Sequence, residues 1–528
     1  MPQFFNDLAD DPLIFDACPS FSGGQVSFQR ANILQPNQAQ LIENFIISIN
    51  GEIEKRRGSA TIAAGYVSSE GNRVQGMLYF DTVLDQKLLS FAKGEARWFN
   101  VDTWDFLFLA DITDWSEIIS PVQLTDKVFW TDSNKGGIRL WDGTTVSTVA
   151  DSPSATFLTA HGVRLVASGL TDIKDAVDFS DLLDGETWDS VNQRLRIGAG
   201  DGDPVVGHIS WQETGILVFK RASTWLIDAN PQIDVAEFPI KLVHSSIGCV
   251  APKSIAQVGQ DIWFLSMSGV QSVQKQLATS NNEITVPVSQ PVQDIIKRIR
   301  WDHAHKSAAV FHNNQYMLSI PVDGNDPDTV LCFNVLTGGW SVISGWSACW
   351  FLRQPYEGTF RLLYGTNEGK VREWLDYQRS EGVYSYLEKM GALELPFDLP
   401  QDFPDIADFS ATLRTRALTF AEPVSPKSGF YAEIEFVTAS VSFDVYAIVD
   451  GAPRVLLQSY ENLNPIINLP IDLPFDFPET PGWARKRFPL HHLEPFRELQ
   501  FEIVCTAGKL TLRDITASAF IDTIELRS

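Results

Sequence analysis

The chain has 528 residues, 44% of them hydrophobic, with 15 Trp and 34 Phe, which is enough apolar material for two or three folded domains and excludes a disordered protein. Its 66 Asp and Glu outnumber its 41 Lys and Arg, and the net charge of −25 argues against a protein that reads DNA sequence through clustered basic residues. The five scattered cysteines argue against a disulfide framework or a zinc ribbon. The sequence shows neither a secretory signal nor an apolar run of membrane-spanning length, so we expect a soluble protein.

A short helix is predicted near the start of the chain. Pro36 suits the first turn of a helix, because its missing N–H is harmless there. Four apolar residues follow it at helical spacing: Leu41, Ile42, Phe45 and Ile46. With the hairpin described next, this helix defines an N-terminal helix–hairpin element over residues 1–66.

A hairpin is predicted directly after the helix. The pair Asn50-Gly51 lies between two strand-like runs, Phe45–Ile49 and Glu52–Arg56. Asn-Gly is typical of tight hairpin turns, in which both turn residues take positive φ. The basic run Lys55–Arg57 is interpreted as a solvated strand end.

Tryptophan marks the central part of the chain. Fourteen of the 15 lie between Trp98 and Trp374. In this block, pairs of short alternating strands with Gly-containing turns recur every roughly 35–50 residues, which is the spacing of propeller blades. Small sheets of this kind cover both faces when they pack radially. The sequence therefore predicts a mainly β fold, with a β-propeller of about six to eight blades over residues 67–378. The alternative is a series of hairpins in one large β-sandwich.

A different β pattern follows residue 405. Runs such as Val441–Tyr446 and Leu499–Val504 alternate polar and apolar residues, as half-buried strands do. This pattern predicts a C-terminal β-sandwich-like domain over residues 379–528. Helix is scarce, and Val292–Arg298 and Gly382–Met390 are its best further candidates.

Two Pro-rich segments in this last domain nearly repeat each other. Residues 395–404 read LPFDLPQDFP and residues 469–478 read LPIDLPFDFP, identical at eight of ten positions. Proline at every third or fourth position favours an extended track. The segments are either covers for the ends of the sandwich or arms that dock in grooves of the same or a neighbouring subunit. Assembly residues under this hypothesis are Leu395, Pro396, Asp398, Phe403, Leu469, Pro470, Asp472 and Phe477, together with Asn44, Asn50, Gly51 and Arg57.

Motifs for catalysis are weak throughout the sequence. Ser180–Trp188 resembles the Asp-box of sialidase-type propellers, but Asp184 and Gly185 are adjacent where a spacer belongs, and that box is a structural turn. Asp201 and Asp203 lack the remaining ligands of a calcium loop and predict a plain turn. Phosphate-loop, nucleophile-elbow and zinc-helix motifs are absent from the sequence. We expect no enzyme activity, no cofactor and no metal site.

The N-terminal order of a Gly-rich lead, a helix, Asn44, a hairpin and Arg57-Gly58 resembles the N-terminus of tail nozzle or stabilisation proteins, the tail tubular protein B-like family of short-tailed bacteriophages. The resemblance runs from residue 21 to residue 275. It is carried further by three stretches: Val177–Asp181 with Trp188, Val218–Ile227, and Ser245–Ser266 with Gly269.

The resemblance implies an architectural protein of the virion tail, assembled in the cytoplasm of the bacterial host. Members of this family form a ring, usually hexameric, below the portal and adaptor, where it helps to retain and release the genome. The implied partners are further copies of the chain, the portal and adaptor proteins, tail fibres or tailspikes, and viral DNA in passage. Acidity serves solubility and would also let DNA slide through a channel without sticking. The competing functions are a propeller-type host-glycan-binding tail protein and a glycosidase or depolymerase.

Overall fold

The computed structural model of the chain is built almost wholly of β-strands joined by turns. It describes residues 13–56, 58–62, 73–83, 85–92, 94–100, 105–112, 118–132, 137–278, 285–356, 358–374, 380–381, 407–437, 441–463, 483–508 and 510–521. Six strands precede the Trp-rich block: β1 (Leu13–Cys18), β2 (Gly24–Gln25), β3 (Gln38–Glu43), β4 (Phe45–Ile47), β5 (Ile53–Lys55) and β6 (Ser59–Thr61).

The Trp-rich block forms seven small antiparallel sheets, one after another along the chain. Blade one contains β7 (Val74–Asp81), β8 (Gln86–Ala92), β9 (Glu95–Asn100) and β10 (Asp105–Asp111). Blade two contains β11 (Pro121–Leu124), β12 (Lys127–Asp132), β13 (Gly137–Trp141) and β14 (Val146–Thr148). Blade three contains β15 (Phe157–His161), β16 (Arg164–Ser168), β17 (Ala176–Phe179) and β18 (Arg194–Arg196). Blade four contains β19 (Val205–Trp211), β20 (Gly215–Lys220), β21 (Thr224–Asp228) and β22 (Ile240–His244).

The last three blades differ in how their strands are supplied. Blade five contains, among the described residues, three strands: β23 (Ala256–Val258), β24 (Asp261–Ser266) and β25 (Gly269–Ser272). Blade six contains β26 (Ala308–His312), β27 (Gln315–Ile320), β28 (Thr329–Asn334) and β29 (Gly339–Ser344). Blade seven contains β30 (Ala348–Tyr356), β31 (Thr359–Thr366) and β32 (Val371–Trp374), and its fourth strand is β6 from the start of the chain.

These sheets close into a ring. The first strands of blades one to four contact each other in order, as do those of blades five to seven, and β30 of blade seven contacts β7 of blade one. The 3-10 turn Pro252–Ser254 adds the contact between blades four and five. The pairing of β6 with β32, Ser59 opposite Trp374, fills the outer edge of the last blade. The structure is a seven-bladed β-propeller, which confirms the predicted fold.

Aromatic side chains fill the spaces between neighbouring blades. The ring of Phe91 in blade one lies 5.5 Å from Trp130 in blade two, and Phe219 in blade four lies 4.7 Å from Phe264 in blade five. Aromatic pairs at such distances add to the energy of burial itself. The tryptophans are concentrated in this block because each blade presents two faces that its neighbours must cover.

Helices are few and short in the described part of the chain. They are α1 (Val273–Ala278) and α2 (Gln293–Lys297), with 3-10 turns at Ala31–Ile33, Val235–Glu237, Pro252–Ser254, Gln290–Val292 and Ala304–Lys306. The position of α2 confirms the helix predicted at Val292–Arg298, whereas Gly382–Met390 lies outside the described residues. None of the described helices is long and apolar enough to cross a membrane.

Both ends of the chain build a two-sheet sandwich. The strands after the propeller are β33 (Ser380–Glu381), β34 (Ala407–Asp408), β35 (Ala411–Thr415), β36 (Lys427–Val437), β37 (Val441–Val449), β38 (Val455–Leu463), β39 (Trp483–Pro489), β40 (Leu499–Ala507) and β41 (Thr511–Ile521). We call the sheet β39-β36-β41-β5-β4, with β1 paired to β41, the first sandwich sheet. The second runs β3-β35-β40-β37-β38, with β2 paired to β3, and β29 of blade six joins it through β3. The pair β33–β34 stands apart from both.

Residues 13–55 therefore belong to the sandwich, and the propeller interrupts that domain in sequence. Cys18, Phe21, Ile42 and Phe45 lie in one core with residues of β36, β40 and β41. The strands of the propeller lie in 59–61 and 74–374. The predicted division into 1–66, 67–378 and 379–528 separated the first segment from the domain that it completes, because its pairing partners are hundreds of residues away.

The helix predicted after Pro36 is wrong in its position. Leu41 and Ile42 lie in β3, and Phe45 and Ile46 lie in β4. The left-handed φ of +57° at Asn44 interrupts the backbone between these strands, and sheet pairing on both sides overrides the helical spacing. The short N-terminal helix that is present is the 3-10 turn Ala31–Ile33.

Candidate functional site

Asn44 lies where the propeller, the hairpin and the sandwich meet, and we call its surroundings the junction. Its amide Nδ2 donates to Ser344 Oγ at 3.0 Å and to the Ser410 carbonyl at 2.8 Å. Its Oδ1 accepts from the Ser344 N–H at 3.1 Å and from Arg56 Nε at 2.9 Å. Asn tolerates the left-handed backbone found here better than most residues. The buried side chain of Asn44 thus connects β29 of blade six with Arg56, which follows β5, and with Ser410, which precedes β35.

Arg56 is the charged centre of the junction. Its side chain is buried, and its guanidinium lies 3.7 Å from the ring centre of Phe409 and 5.3 Å from that of Trp346. A buried guanidinium is stable only when hydrogen bonds and π-faces replace water, as Asn44 and Phe409 do here. The interpretation of Lys55–Arg57 as a solvated strand end is wrong for Lys55 and Arg56, which are both buried.

The hairpin is confirmed, but its turn differs from the predicted one. Strand β4 pairs with β5, and only Gly51 of the turn pair has a positive φ, +80°. The Gly51 N–H donates to the Ser48 carbonyl at 3.0 Å. This bond is typical of a three-residue hairpin loop that ends in a left-handed glycine. Gly51 packs inside the chain, since its carbonyl accepts from the Phe21 N–H at 2.7 Å, whereas Asn50 is exposed at the tip.

The structure thus brings Asn44 and Gly51 into intramolecular contacts and leaves Asn50 at the surface. Arg57 and all eight Pro-rich candidates lie outside the described residues: Leu395, Pro396, Asp398, Phe403, Leu469, Pro470, Asp472 and Phe477. The sequence interpretation missed Arg56, Ser344 and Phe409. Arg56 directly follows the short strand β5, which has the sequence Ile-Glu-Lys, and nothing local distinguishes it from a surface cation.

The inner strands of the propeller surround a central channel that contains a half-open cavity of about 250 Å³. Its lining is mainly apolar and aromatic, with one lysine: Phe157, Ile209, Ile255, Trp350, Phe351 and Lys253. Lys253 Nζ donates to the Cys349 carbonyl at 2.8 Å and lies 5.6 Å from the ring centre of Trp350. Lys253, which precedes blade five, therefore contacts β30 of blade seven.

A buried histidine joins blades three and four beside this cavity. His208 on β19 has its Nδ1 2.6 Å from Ser168 Oγ and its Nε2 3.1 Å from the Val166 carbonyl, both on β16. The carbonyl can only accept, so Nε2 carries the proton and Nδ1 accepts from the serine hydroxyl. Burial lowers the pKa of His208 to about 4, so the ring is neutral at physiological pH.

The carboxylates that suggested chemistry are used in turns. Asp184 accepts from the Glu186 N–H and the Thr187 hydroxyl, both at 2.8 Å, and these bonds lower its pKa. Asp201 accepts from the buried Nζ of Lys220 at 2.7 Å, and Asp203 from the Ala222 N–H at 2.9 Å. Both motifs are structural turns, as predicted. Among the described residues, no group of three or more His, Cys, Asp or Glu side chains could hold a metal ion.

Comparison with known proteins finds no matching family model and no matching curated protein. The WD40 β-propeller domain of Doa1 is similar in structure, with a TM-score of 0.37 and 11% identity over 60% of this chain and 97% of that one. The extracellular domain of the hybrid two-component system BT4673 from B. thetaiotaomicron has a TM-score of 0.33 and 9% identity over 65% of this chain and 39% of that one. The propeller assignment therefore depends on the seven sheets of this chain.

Proposed function

We propose that the chain is a structural subunit of the tail of a short-tailed bacteriophage, forming a ring-shaped nozzle below the portal and adaptor through which the genome leaves. The observation that carries the proposal is the junction. The segment that resembles the nozzle family supplies Asn44 and Arg56, which bind both domains. A structural subunit that transmits force between neighbouring proteins needs fixed contacts between its domains, because domains joined only by flexible linkers would move apart under that force.

The use of charge supports the same function. Ion pairs and turn contacts occupy the carboxylates of Asp184, Asp201 and Asp203, which are the residues the sequence offered for chemistry. The net charge of −25 repels a phosphate backbone. A channel formed by such subunits would let DNA pass with little adhesion.

Electron microscopy of the purified protein tests this proposal. Hollow rings are the expected particles, whereas only monomers or a solid trimeric spike at all concentrations would contradict it. Binding to duplex DNA at physiological salt should be negligible. Tight binding that weakens as salt is added would refute the sliding of DNA along an acidic channel.

The Pro-rich segments are proposed as assembly arms of the same ring. Deleting residues 395–404 should impair assembly and leave the subunit folded, as measured by circular dichroism and by sedimentation. A subunit that unfolds after this deletion would identify the segment as a cover of the sandwich.

A host-glycan-binding tail protein is the second candidate, and one cleft favours it. The cleft has a volume of about 460 Å³, is half open, and has a largely polar lining that includes Gln40, Arg414, Arg454, Gln500 and Glu502. Glu502 is buried and accepts from Arg414 Nε at 2.8 Å and from Arg454. Fixed donors and acceptors of this kind suit sugar hydroxyls. Binding of host polysaccharide without turnover would support this candidate, and release of sugars would indicate a glycosidase or depolymerase.

A further inference from the structure

The outward face of the first sandwich sheet carries a group of aromatic side chains. Phe15 on β1 and Phe430 on β36 are 56% and 45% exposed. Tyr431 lies between them, with its ring centre 6.5 Å from that of Phe15 and 5.2 Å from that of Phe430. The ring of Phe520 on β41 lies 5.4 Å from Phe430. We call these four residues the aromatic patch. Contiguous exposed apolar patches on soluble proteins commonly mark interaction sites.

A β-bulge in β36 creates the patch. Gly429 pairs with Ala519 and Tyr431 pairs with Ser518, so Phe430 is the extra residue of the bulge. In a regular strand Phe430 would point to the same side as Ala432, which lies in the sandwich core. The bulge instead turns it outward beside Tyr431. Bulges that re-aim a side chain in this way are features of function more often than defects.

Basic side chains of the edge strand β39 border the patch. The Arg487 guanidinium lies 4.1 Å from the ring centre of Tyr431. Arg485 and Arg487 lie opposite Glu435 and Glu433 on the same face as Tyr431, and we call them the basic edge, whereas Lys486 lies opposite Ile434 of the core and belongs to the other face. Arg485 pairs with Glu433 and Glu435 of β36 and with Asp514 of β41, and Arg487 pairs with Glu433. The two arginine side chains are 55% and 62% exposed and these carboxylates only 17–21%, so guanidinium groups are the charged groups that this face presents to solvent.

The charge of the whole chain indicates what this face binds. With a net charge of −25, the surface of a second copy is acidic on balance. The exposed guanidinium groups of the basic edge, which lie beside aromatic rings, are complementary to the carboxylates of such a surface. Aromatic and Arg side chains are also the residue types that carry most of the binding energy at protein interfaces.

We propose that the aromatic patch and the basic edge form the surface on which a second copy of this chain docks. The inference rests on the proposed function, since a ring requires an interface between copies. Rings close through contacts between two different surfaces of neighbouring subunits. The patch of one copy therefore contacts an acidic surface of the next copy, and not the equivalent patch.

Labelling of a single introduced cysteine tests this interface. The five native cysteines are all buried and should react slowly, so the thiol introduced by Phe430→Cys should give most of the labelling. The matched control is Val191→Cys, because Val191 is 84% exposed in blade three, away from the sandwich. Maleimide labelling is followed by mass spectrometry in dilute monomer and in isolated ring. We expect the rate at position 430 to fall about tenfold or more in the ring, and the rate at position 191 to change little.

A second variant covers the case in which Phe430→Cys itself prevents assembly. Arg487→Glu changes an exposed side chain, so the subunit should fold while the ring weakens by about tenfold or more in its dissociation constant. Loss of the ring in both variants, with Val191→Cys assembling normally, also supports the proposal.

Three results would overturn the inference. Equal labelling of position 430 in monomer and ring, with a normal ring from Arg487→Glu, would place the interface elsewhere and leave the proposed nozzle standing. Protection of position 430 already in the monomer would show that another part of the same chain covers the patch. A wild-type chain that never self-associates would remove the proposed ring, and this interface with it.

Discussion

Protonation of His208 should make the propeller unstable in acid. The ring is neutral between Ser168 and Val166, and its pKa is about 4, compared with 6.5 for an exposed histidine. The unfolded chain therefore binds a proton at this position below pH 6.5, whereas the folded chain does so only near pH 4. The free energy of unfolding is highest above pH 6.5 and falls as the pH drops toward 4.

The size of this effect follows from the two pKa values. A difference of about 2.5 units at about 1.4 kcal/mol each corresponds to a loss of about 3 kcal/mol across this pH range. Replacement His208→Gln keeps an amide donor for Val166 and an acceptor for Ser168 but cannot titrate. Its stability should therefore lack this part of the pH dependence.

Denaturant unfolding of both proteins from pH 7 to pH 4, followed by tryptophan fluorescence, measures the difference. Fourteen of the 15 tryptophans lie in the propeller block, so the signal reports on the relevant domain. Titrations of groups that do not interact with residue 208 cancel between the two proteins. Parallel pH profiles for wild type and His208→Gln would refute the assignment of a buried neutral histidine.

Three further outcomes are expected. Arg56→Met should lower the free energy of unfolding by about 2–4 kcal/mol in denaturant titrations, because buried charged hydrogen bonds are lost, while Asn50→Ala at the exposed tip should change it little; equal effects would contradict the junction. Gly51→Ala should cost more than the roughly 1–2 kcal/mol of a left-handed alanine, since a Cβ there meets neighbouring side chains at 3.1 Å, whereas Gly143→Ala, with nothing within 4 Å, should show only the backbone cost. The native cysteines should resist maleimide until the protein unfolds, and rapid labelling in native buffer would contradict their burial.

The propeller could be predicted because its pairings are local. The strand-like runs Val128–Thr131 and Ile138–Trp141 lie in β12 and β13, which follow each other in the chain and pair with each other. Each blade repeats this arrangement within a few dozen residues, so alternation and turn residues are enough to indicate it. The blade number needed the structure, because the described part of blade five has three strands and blade seven takes β6 from the start of the chain as its fourth strand.

The sandwich ends and the junction could not be predicted, because their contacts are distant in sequence. Leu13 pairs with Phe520, and Asn44 binds Ser344 and Ser410, which are 300 and 366 residues away. Local spacing at Leu41–Ile46 favours helix and contains no information about these partners. A segment whose own pattern disagrees with its final structure is one that tertiary contacts hold in place.

The borrowed strand also couples the two domains. Strand β5 ends at Lys55 in the sandwich, and β6 begins at Ser59 in blade seven. Only three residues therefore separate a strand of the sandwich from the strand that completes the last blade of the propeller. A shift of β5 would pull β6 from β32 and open the propeller ring at its last blade. Arg56 lies in this connection, and its hydrogen bond to Asn44 holds the connection in place. The pairing of β5 with β4 and the pairing of β6 with β32 both depend on that position. Force on the sandwich would thus reach the propeller through these three residues and through the contacts of Asn44.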